Sequence, residues 1–318
     1  TIQGTASWVS GSAPFSPYVA PGPISSPTEI PNLQLWLDAT NIDESNNSTL
    51  SNGDAVSTWK DLSGNDNHLL DSDNNPPTLK MGGANNSFSK PVVHFAAKSL
   101  QTTSGSFGVT DKLSMIFVVE TTTELIPWNA NIIRLGSPTA VSVNFYFGHS
   151  SSFNEKFGAW KSGGWPGQPS LAYFAKRDNG YPGNLPVIYS LTFNDGTILL
   201  DRNNAFVNSK SALNLDEYGF TNTHFILGED PSYHNYNHNG SHTNYAEVLV
   251  FNKVLLEAEQ IRIHHYLAAK WGLSASVDSD GDGTVDASDG DPLAPTVQSS
   301  LATVTGTVSY DGVIDGPA

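Results

Sequence analysis

Residues 244–273 read NYAEVLVFNKVLLEAEQIRIHHYLAAKWGL, and two different periods follow one another within them. In the first part Ala246, Val248 and Val250 alternate with Glu247, Leu249 and Phe251. A run that is largely apolar on both sides predicts a strand covered on both faces. From Glu257 the period lengthens: Ile263, Tyr266, Leu267 and Trp271 stand at i, i+3, i+4 and i+8, one stripe of an amphipathic helix. Glu257 and Glu259 fall in its first turn, Lys270 in its last, and Gly272 follows as C-cap, as the helix dipole and the left-handed cap favour. Leu256 stands where Ser, Thr or Asp would cap the N-terminus, so that end is poorly specified. Burying the four stripe residues contributes roughly 1.5–3 kcal/mol each. The expectation is a structural helix that closes a β core.

Working outward, Leu33–Asp38 (LQLWLD) is a second strand run, and Trp59–His68 (WKDLSGNDNH) is a polar turn behind a tryptophan. Taken in order, the three stretches resemble bacterial laminin-G-like domains of the concanavalin A-like lectin/glucanase superfamily. In these, an LWLDA strand, a W-x-D-x-S-G-N-x-N-H turn and a closing strand-plus-helix recur. The resemblance spans residues 30–274 and implies a jelly-roll β-sandwich with one C-terminal helix packed on it. It implies a binding module of variable ligand rather than one activity, and a largely structural role for the turn.

The strand pattern agrees independently. Leu33–Asp38, Val92–Phe95, Ser114–Thr121, Val141–Phe147, Val187–Phe193, Thr197–Asp201, Phe225–Gly228 and Tyr245–Phe251 are short β runs separated by Gly, Asn, Ser and Pro. Asn194–Gly196 (NDG) is a hairpin signal. Short strands without intervening helices mean two packed antiparallel sheets, an all-β sandwich over residues 32–274. Residues 1–31 carry Pro14, Pro17, Pro21, Pro23, Pro27 and Pro31, which leaves a strand only at Thr1–Val9 and then an extended arm. Residues 275–295 form an acidic linker. Residues 296–318 contain one more β run, Thr303–Tyr310, read either as the start of a following module or as a strand donated to a neighbouring copy.

Composition narrows the partners. Of 318 residues only 14% are charged, against the usual figure of about 25%. The balance of 15 Lys+Arg and 31 Asp+Glu leaves a formal charge of −16. Nucleic acid and anionic membrane both need clustered basic residues, so neither is expected as a partner. There is no cysteine, hence no disulfide or thiolate site. No apolar run approaches the roughly 20 residues of a membrane span, and no signal peptide opens the chain. An exported protein in mature or trimmed form is the expectation.

The clearest chemical pattern is Asp278–Asp289, DSDGDGTVDASD. Calcium takes six to eight hard oxygens, and carboxylates at alternate positions of a loop can wrap it. Asp278, Asp280, Asp282, Thr284 (through its carbonyl), Asp286 and Asp289 occupy the EF-hand positions 1, 3, 5, 7, 9 and 12, with Gly283 at the bend. The last is Asp rather than Glu and no helix pattern flanks it, so with Pro292 the stretch more closely resembles a thrombospondin type 3 repeat. The competing reading is a solvated acidic linker.

Other candidates are weaker. Pro231–His242 (PSYHNYNHNGSH) spaces His234, His238 and His242 four apart, but its Asn and Gly residues oppose a helix. It reads as a transition-metal site, as a glycan-contacting loop through Tyr233, Tyr236, His234 and His238, or as plain surface. Trp160 and Trp165 (GAWKSGGWPGQ), with Trp128, offer indole faces on which a sugar can rest, unless they are buried at the sandwich edge. Trp165 sits in the most loop-like context. Catalytic carboxylates in an E-x-D-x-x-E strand pattern are missing: Asp216-Glu217 and Glu229-Asp230 are adjacent pairs. The resulting expectation is an extracellular, non-catalytic, calcium-binding adhesion or glycan-recognition module of a larger surface assembly. A filament subunit joined to neighbouring copies by exchanged terminal strands is the alternative, and a glycoside hydrolase the minor one.

Overall fold

The computed structural model describes residues 21–83, 86–96, 98–103, 112–121, 130–136, 143–150, 153–161, 185–210, 224–228 and 242–294. After a 3-10 turn at Pro27–Glu29 come β1 (Leu33–Asp38), β2 (Thr58–Trp59), β3 (Leu69–Leu70), β4 (Thr78–Lys80) and β5 (Val92–Ala96). Then follow β6 (Ser99–Thr102), β7 (Lys112–Thr121), β8 (Ala130–Gly136), β9 (Val143–Ser150) and β10 (Phe153–Lys161). The last elements are β11 (Val187–Asn194), β12 (Thr197–Arg202), β13 (Ala205–Lys210), β14 (His224–Gly228), β15 (His242–Phe251) and α1 (Glu257–Trp271). One sheet runs β13-β12-β11-β7-β15-β5-β4, with β1 also paired to β15, and the other runs β10-β9-β8-β14-β6-β3-β2. The fold is an all-β sandwich with one helix on it, and each strand run expected within residues 33–251 falls, in its described part, on a strand.

Among the strands that sequence pattern alone did not single out, β2, β3 and β4 are the shortest. β2, β3 and β4 hold two or three residues each, too few for a period to show. They exist because cross-strand partners order them: Trp59 pairs with Leu69, and Leu69 with Thr102.

β15 is central. Along one edge it pairs with β7, and its other edge is shared by β5 at Tyr245↔Val93 and β1 from Glu247↔Asp38 to Phe251↔Leu33. The change of partner coincides with a register shift between Tyr245 and Glu247, where the Ala39 N–H donates to the Ala246 carbonyl (2.9 Å). An extra residue there bends the strand and twists it locally. Phe117, Tyr189 and Val248 form one buried cross-strand row, and Phe95 meets Tyr245 edge-to-face with centroids 4.8 Å apart. The opposite face of this sheet lies under α1 and under the loop bearing Phe88, which meets Trp271 edge-to-face at 5.6 Å. Both faces of β15 are therefore covered.

The helix keeps its expected bounds, with Gly272 left-handed (φ 73°) as C-cap. Leu256 offers no side-chain cap; instead Glu259 Oε2 reaches back to accept the Leu256 N–H at 2.9 Å, and its other oxygen pairs with Lys253. Half of a capping box thus replaces the missing polar N-cap.

The helix is seated by a buried charge. Glu247 has no exposed surface, yet four side chains converge on its carboxylate. Trp36 Nε1–H donates at 2.8 Å and Trp271 Nε1–H at 2.6 Å, Lys270 Nζ pairs at 2.7 Å, and Tyr266 Oη–H donates at 3.4 Å. Lys270 also binds Asp38 Oδ2 at 2.7 Å, with the rings of Trp36, Tyr266 and Trp271 around it. Burial pushes the Glu247 carboxyl up against the pull of Lys270; burial also disfavours the Lys270 ammonium, but Glu247 and Asp38 outweigh it and push that group up. The pair is ionised, because Lys270 answers to two acids and the remaining donors solvate Glu247 in place of water.

The turn at 59–68 is self-capped. Asp61 accepts the N–H groups of Trp36, Ser63 and Asn67 at 2.9, 2.9 and 3.0 Å, and the Asn65 and Asn67 amides donate to the Leu33 and Gln34 carbonyls. Trp59 is carried into the core with its Nε1–H on the Asp38 carbonyl. Removing one partner of a buried ion pair strands the other charge, which costs about 3–5 kcal/mol. Lys270→Met is expected to destabilise the domain by that much in urea unfolding. Adding Glu247→Gln should cost less than the sum of the two single changes. A midpoint for Lys270→Met equal to wild type would contradict this.

Candidate metal centre

After Gly272 the chain turns back rather than leaving. Val277 is fully buried, the Asp286 N–H donates to the Val277 carbonyl (2.8 Å), and the Ala287 N–H donates to the Ser274 carbonyl (2.9 Å). Leu273 and Leu293 are buried on either side. Between these anchors Gly281 and Gly283 take left-handed backbone (φ 76° and 97°), the bend that glycine adopts without a Cβ clash.

The carboxylates of Asp278, Asp280 and Asp282 converge, one oxygen of each lying within 4.8 Å of the others. Local donors hold them. Asp278 accepts the Gly281 and Gly283 N–H groups (both 2.8 Å), Asp280 Oδ1 that of Asp282 (3.2 Å), and Asp282 Oδ1 that of Thr284 (2.7 Å). Asp280 is only 6% exposed, and its Oδ2 is buried with no hydrogen-bond partner. Asp289 Oδ2 is likewise buried and unpartnered, while its Oδ1 accepts the Asp291 N–H at 2.8 Å. Burial, together with the charges of Asp282, Asp289 and Asp278, pushes the Asp280 carboxyl up to about 6 despite the Asp282 N–H. Clustered carboxylates beside two buried oxygens that lack donors suit a hard divalent cation, so Asp278, Asp280 and Asp282 can hold a metal ion.

Asp286 is placed differently. Its Oδ1 accepts the Ser279 N–H and its Oδ2 the Ser279 hydroxyl, both at 2.8 Å, and His265 Nδ1 stands 3.2 Å from Oδ2. Its carboxylate ties the loop to α1. Thr284 lies in the loop with its N–H committed to Asp282. Three further contacts involve a residue that no site motif in the sequence marks. Asn204, in the β12–β13 turn, donates its amide to the carbonyls of Asp278 (3.1 Å) and Ser279 (2.9 Å), and its Oδ1 accepts from Gln260 Nε2 (2.9 Å). Asn203-Asn204 between two β runs is a hairpin signal, but nothing in the spacing links it to a loop over seventy residues on.

Trp165, Tyr233, Tyr236, His234 and His238 lie outside the described residues, as do Trp128, Asp216-Glu217, Glu229-Asp230, Thr1–Val9 and Thr303–Tyr310. The backbone of Trp160 lies on β10, the edge strand of its sheet, opposite Asn144.

Two buried clusters resemble acid–base machinery. His264 Nε2 meets Ser190 Oγ at 2.6 Å, but the two residues are fully and 97% buried, being 0% and 3% exposed, and His264 Nδ1 has no partner. A catalytic serine–histidine pair needs substrate access and a group that orients the imidazole; this pair has neither. Glu120, also buried, takes the Asn244 amide at 2.6 Å and the Ser87 hydroxyl, and Asn244 Oδ1 meets His94 Nδ1 at 2.7 Å. Among the described residues the buried glutamates are thus engaged by structural donors.

No family model matches the chain, and no curated protein matches it. Solved structures of similar shape include an arabinofuranosidase complexed with arabinofuranosyl-α-1,2-xylobiose (12% identity, TM-score 0.49, 75% of this chain and 59% of that one). Domain 4 of an extracellular arabinanase from Geobacillus stearothermophilus, in complex with arabinotriose, is another (12% identity, TM-score 0.46, 73% and 98%). A third is the binding domain of Paraclostridial mosquitocidal protein 1 (13% identity, TM-score 0.46, 74% and 52%). The chain thus spans about half of the mosquitocidal structure. The sandwich rests on its own strand pairing. Among the described residues no helix is long and apolar enough to cross a membrane.

Burial pushes the His264 imidazole down to about 4 from 6.5. A histidine kept neutral in the fold but free to charge when unfolded gives stability that is present above about 6.5 and is lost as pH falls toward about 4. The total is on the order of 3 kcal/mol. Urea midpoints across that window should fall more steeply for wild type than for His264→Gln, a comparison that subtracts the carboxylates. Parallel profiles would contradict the assignment.

Proposed function

We propose that this chain is an extracellular, non-catalytic recognition module: a β-sandwich that carries one calcium ion in the 278–289 loop and binds glycan through its loops. The observation that carries the calcium half is the convergence of Asp278, Asp280 and Asp282 around an Asp280 oxygen that is buried and unpartnered. Calcium suits the set better than magnesium or zinc. It accepts several carboxylates with irregular geometry, whereas magnesium keeps its waters and an octahedron, and zinc prefers nitrogen and sulfur. Asp278, Asp280, Asp282 and Asp289 would supply carboxylate oxygens and Thr284 its carbonyl. The ion would neutralise mutual repulsion and fix the loop where the chain leaves the sandwich.

The glycan half is supported by composition: a sequence with only 14% charged residues and many Asn, Ser and Gly, the tryptophans of the 160–168 segment, and the Tyr- and Asn-rich 231–242 segment. Trp160 stands on an edge strand leading into the first of these. A non-catalytic role is supported by the commitment of Asp38, Glu120 and Glu247 to structural donors. Cell-surface adhesion within a larger assembly, with residues 32–274 as the sandwich and 275–295 as its calcium clamp, is the setting in which such a module acts.

Titration calorimetry on the chelator-treated protein should give one calcium site, far weaker magnesium uptake, and loss of calcium binding by at least about tenfold in Asp280→Asn. A glycan array should give signal that Trp165→Ala weakens. Absence of calcium heat would sink the metal assignment, and retention on no polysaccharide would sink the glycan one.

A further inference from the structure

The acidic loop does not fold on itself alone; the sandwich holds its first ligand arm from below. Asn203 and Asn204 are both left-handed (φ 50° and 64°), forming the two-residue turn that joins β12 to β13. Asn203 is pinned to β11: its N–H donates to the Ile188 carbonyl (2.8 Å), and its Oδ1 accepts the Ile188 N–H (2.9 Å). This leaves the Asn204 amide rigidly placed, and both of its donor bonds go to consecutive carbonyls, Asp278 O and Ser279 O. Those carbonyls belong to the segment from which Asp278 and Asp280 project. Gln260 on α1 fixes the other end of the same amide. Ser279, itself buried, is gripped from the opposite side by both oxygens of Asp286. Hence the spacing of the Asp278 and Asp280 carboxylates is set by contacts to α1 and to the β12–β13 turn as well as by the loop's own bonds.

From this we infer that Asn204 is a positioning residue for the cation: the sandwich tunes calcium affinity through its amide, and calcium in turn stabilises the sandwich. This rests on the calcium reading above. Energetic coupling between two parts of one molecule is reciprocal. A ligand that binds only the folded, docked arrangement raises stability in proportion to the logarithm of its concentration over its dissociation constant. Holding three carboxylates together before a cation arrives opposes their repulsion, and the Asn204 and Ser279 bonds supply that opposition. Glycine is the substitution that keeps the left-handed turn while deleting the amide.

The test uses the whole chain. Calcium titration calorimetry and thermal melts, in chelator and in saturating calcium, are run on wild type, Asn204→Gly and Gln260→Ala. Loss of two hydrogen bonds that order the ligand arm should weaken calcium binding by about tenfold in Asn204→Gly. The calcium-dependent rise in Tm should shrink with it, while the Tm in chelator barely moves. Gln260→Ala should show the same pattern to a smaller degree. A wild type that binds calcium, beside an Asn204→Gly variant with unchanged affinity and an unchanged calcium-dependent rise, overturns the coupling and leaves the calcium site standing. A wild type that takes up no calcium overturns both. Should Asn204→Gly melt early even in chelator, Gln260→Ala decides, since that half-buried first-turn side chain belongs to no part of the apolar core.

Discussion

A carboxylate with no access to water, Glu247, is the constraint around which this structure is arranged. An ionised group in that position is tolerable only if donors replace its lost solvation. The donors come from places far apart in sequence: Trp36 on β1, and Tyr266, Lys270 and Trp271 on α1. Asp38 completes the set by sharing Lys270. Since each donor has one correct position, the helix can dock in one rotation and one register. Replacing such a network by apolar side chains need not lower stability. Its contribution is to exclude other arrangements of a helix whose stripe is otherwise generic.

This network also explains why the stretches noticed in the sequence belong together. LWLD supplies Trp36 and Asp38, the closing strand supplies Glu247, and the helix supplies Tyr266, Lys270 and Trp271. The turn after Trp59 is tied to the same strand, with Asp61 accepting the Trp36 N–H. Their presence together in this chain has a structural reason, the seating of one helix on one strand. It therefore speaks to fold and says little about ligand.

The legible part of the fold was the part with a period. Long strands such as β7, β11 and β15, and the stripe of α1, follow from side-chain alternation. β2, β3 and β4 are too short for that and exist only through partners. At the candidate site, the ligand residues could be read because alternating aspartates are a local pattern. The roles within it could not. Asp286 occupies a ligand position in the register, yet its carboxylate serves Ser279 and His265. Asn204 is brought to the loop only by the pairing of β12 with β11 and β13, a non-local fact.

What unites the two halves of the molecule is that each buries acid and must answer for it. At Glu247 the answer is built from lysine, tryptophan and tyrosine. At Asp280 the polypeptide provides no donor for Oδ2, and the aspartate cluster around it can hold a metal ion. Amide hydrogen exchange with and without calcium tests this most directly. Protection should rise in calcium both across 278–289 and at the β12–β13 turn around Asn204. Equal exchange in the two conditions at both places would contradict a cation site built into the fold.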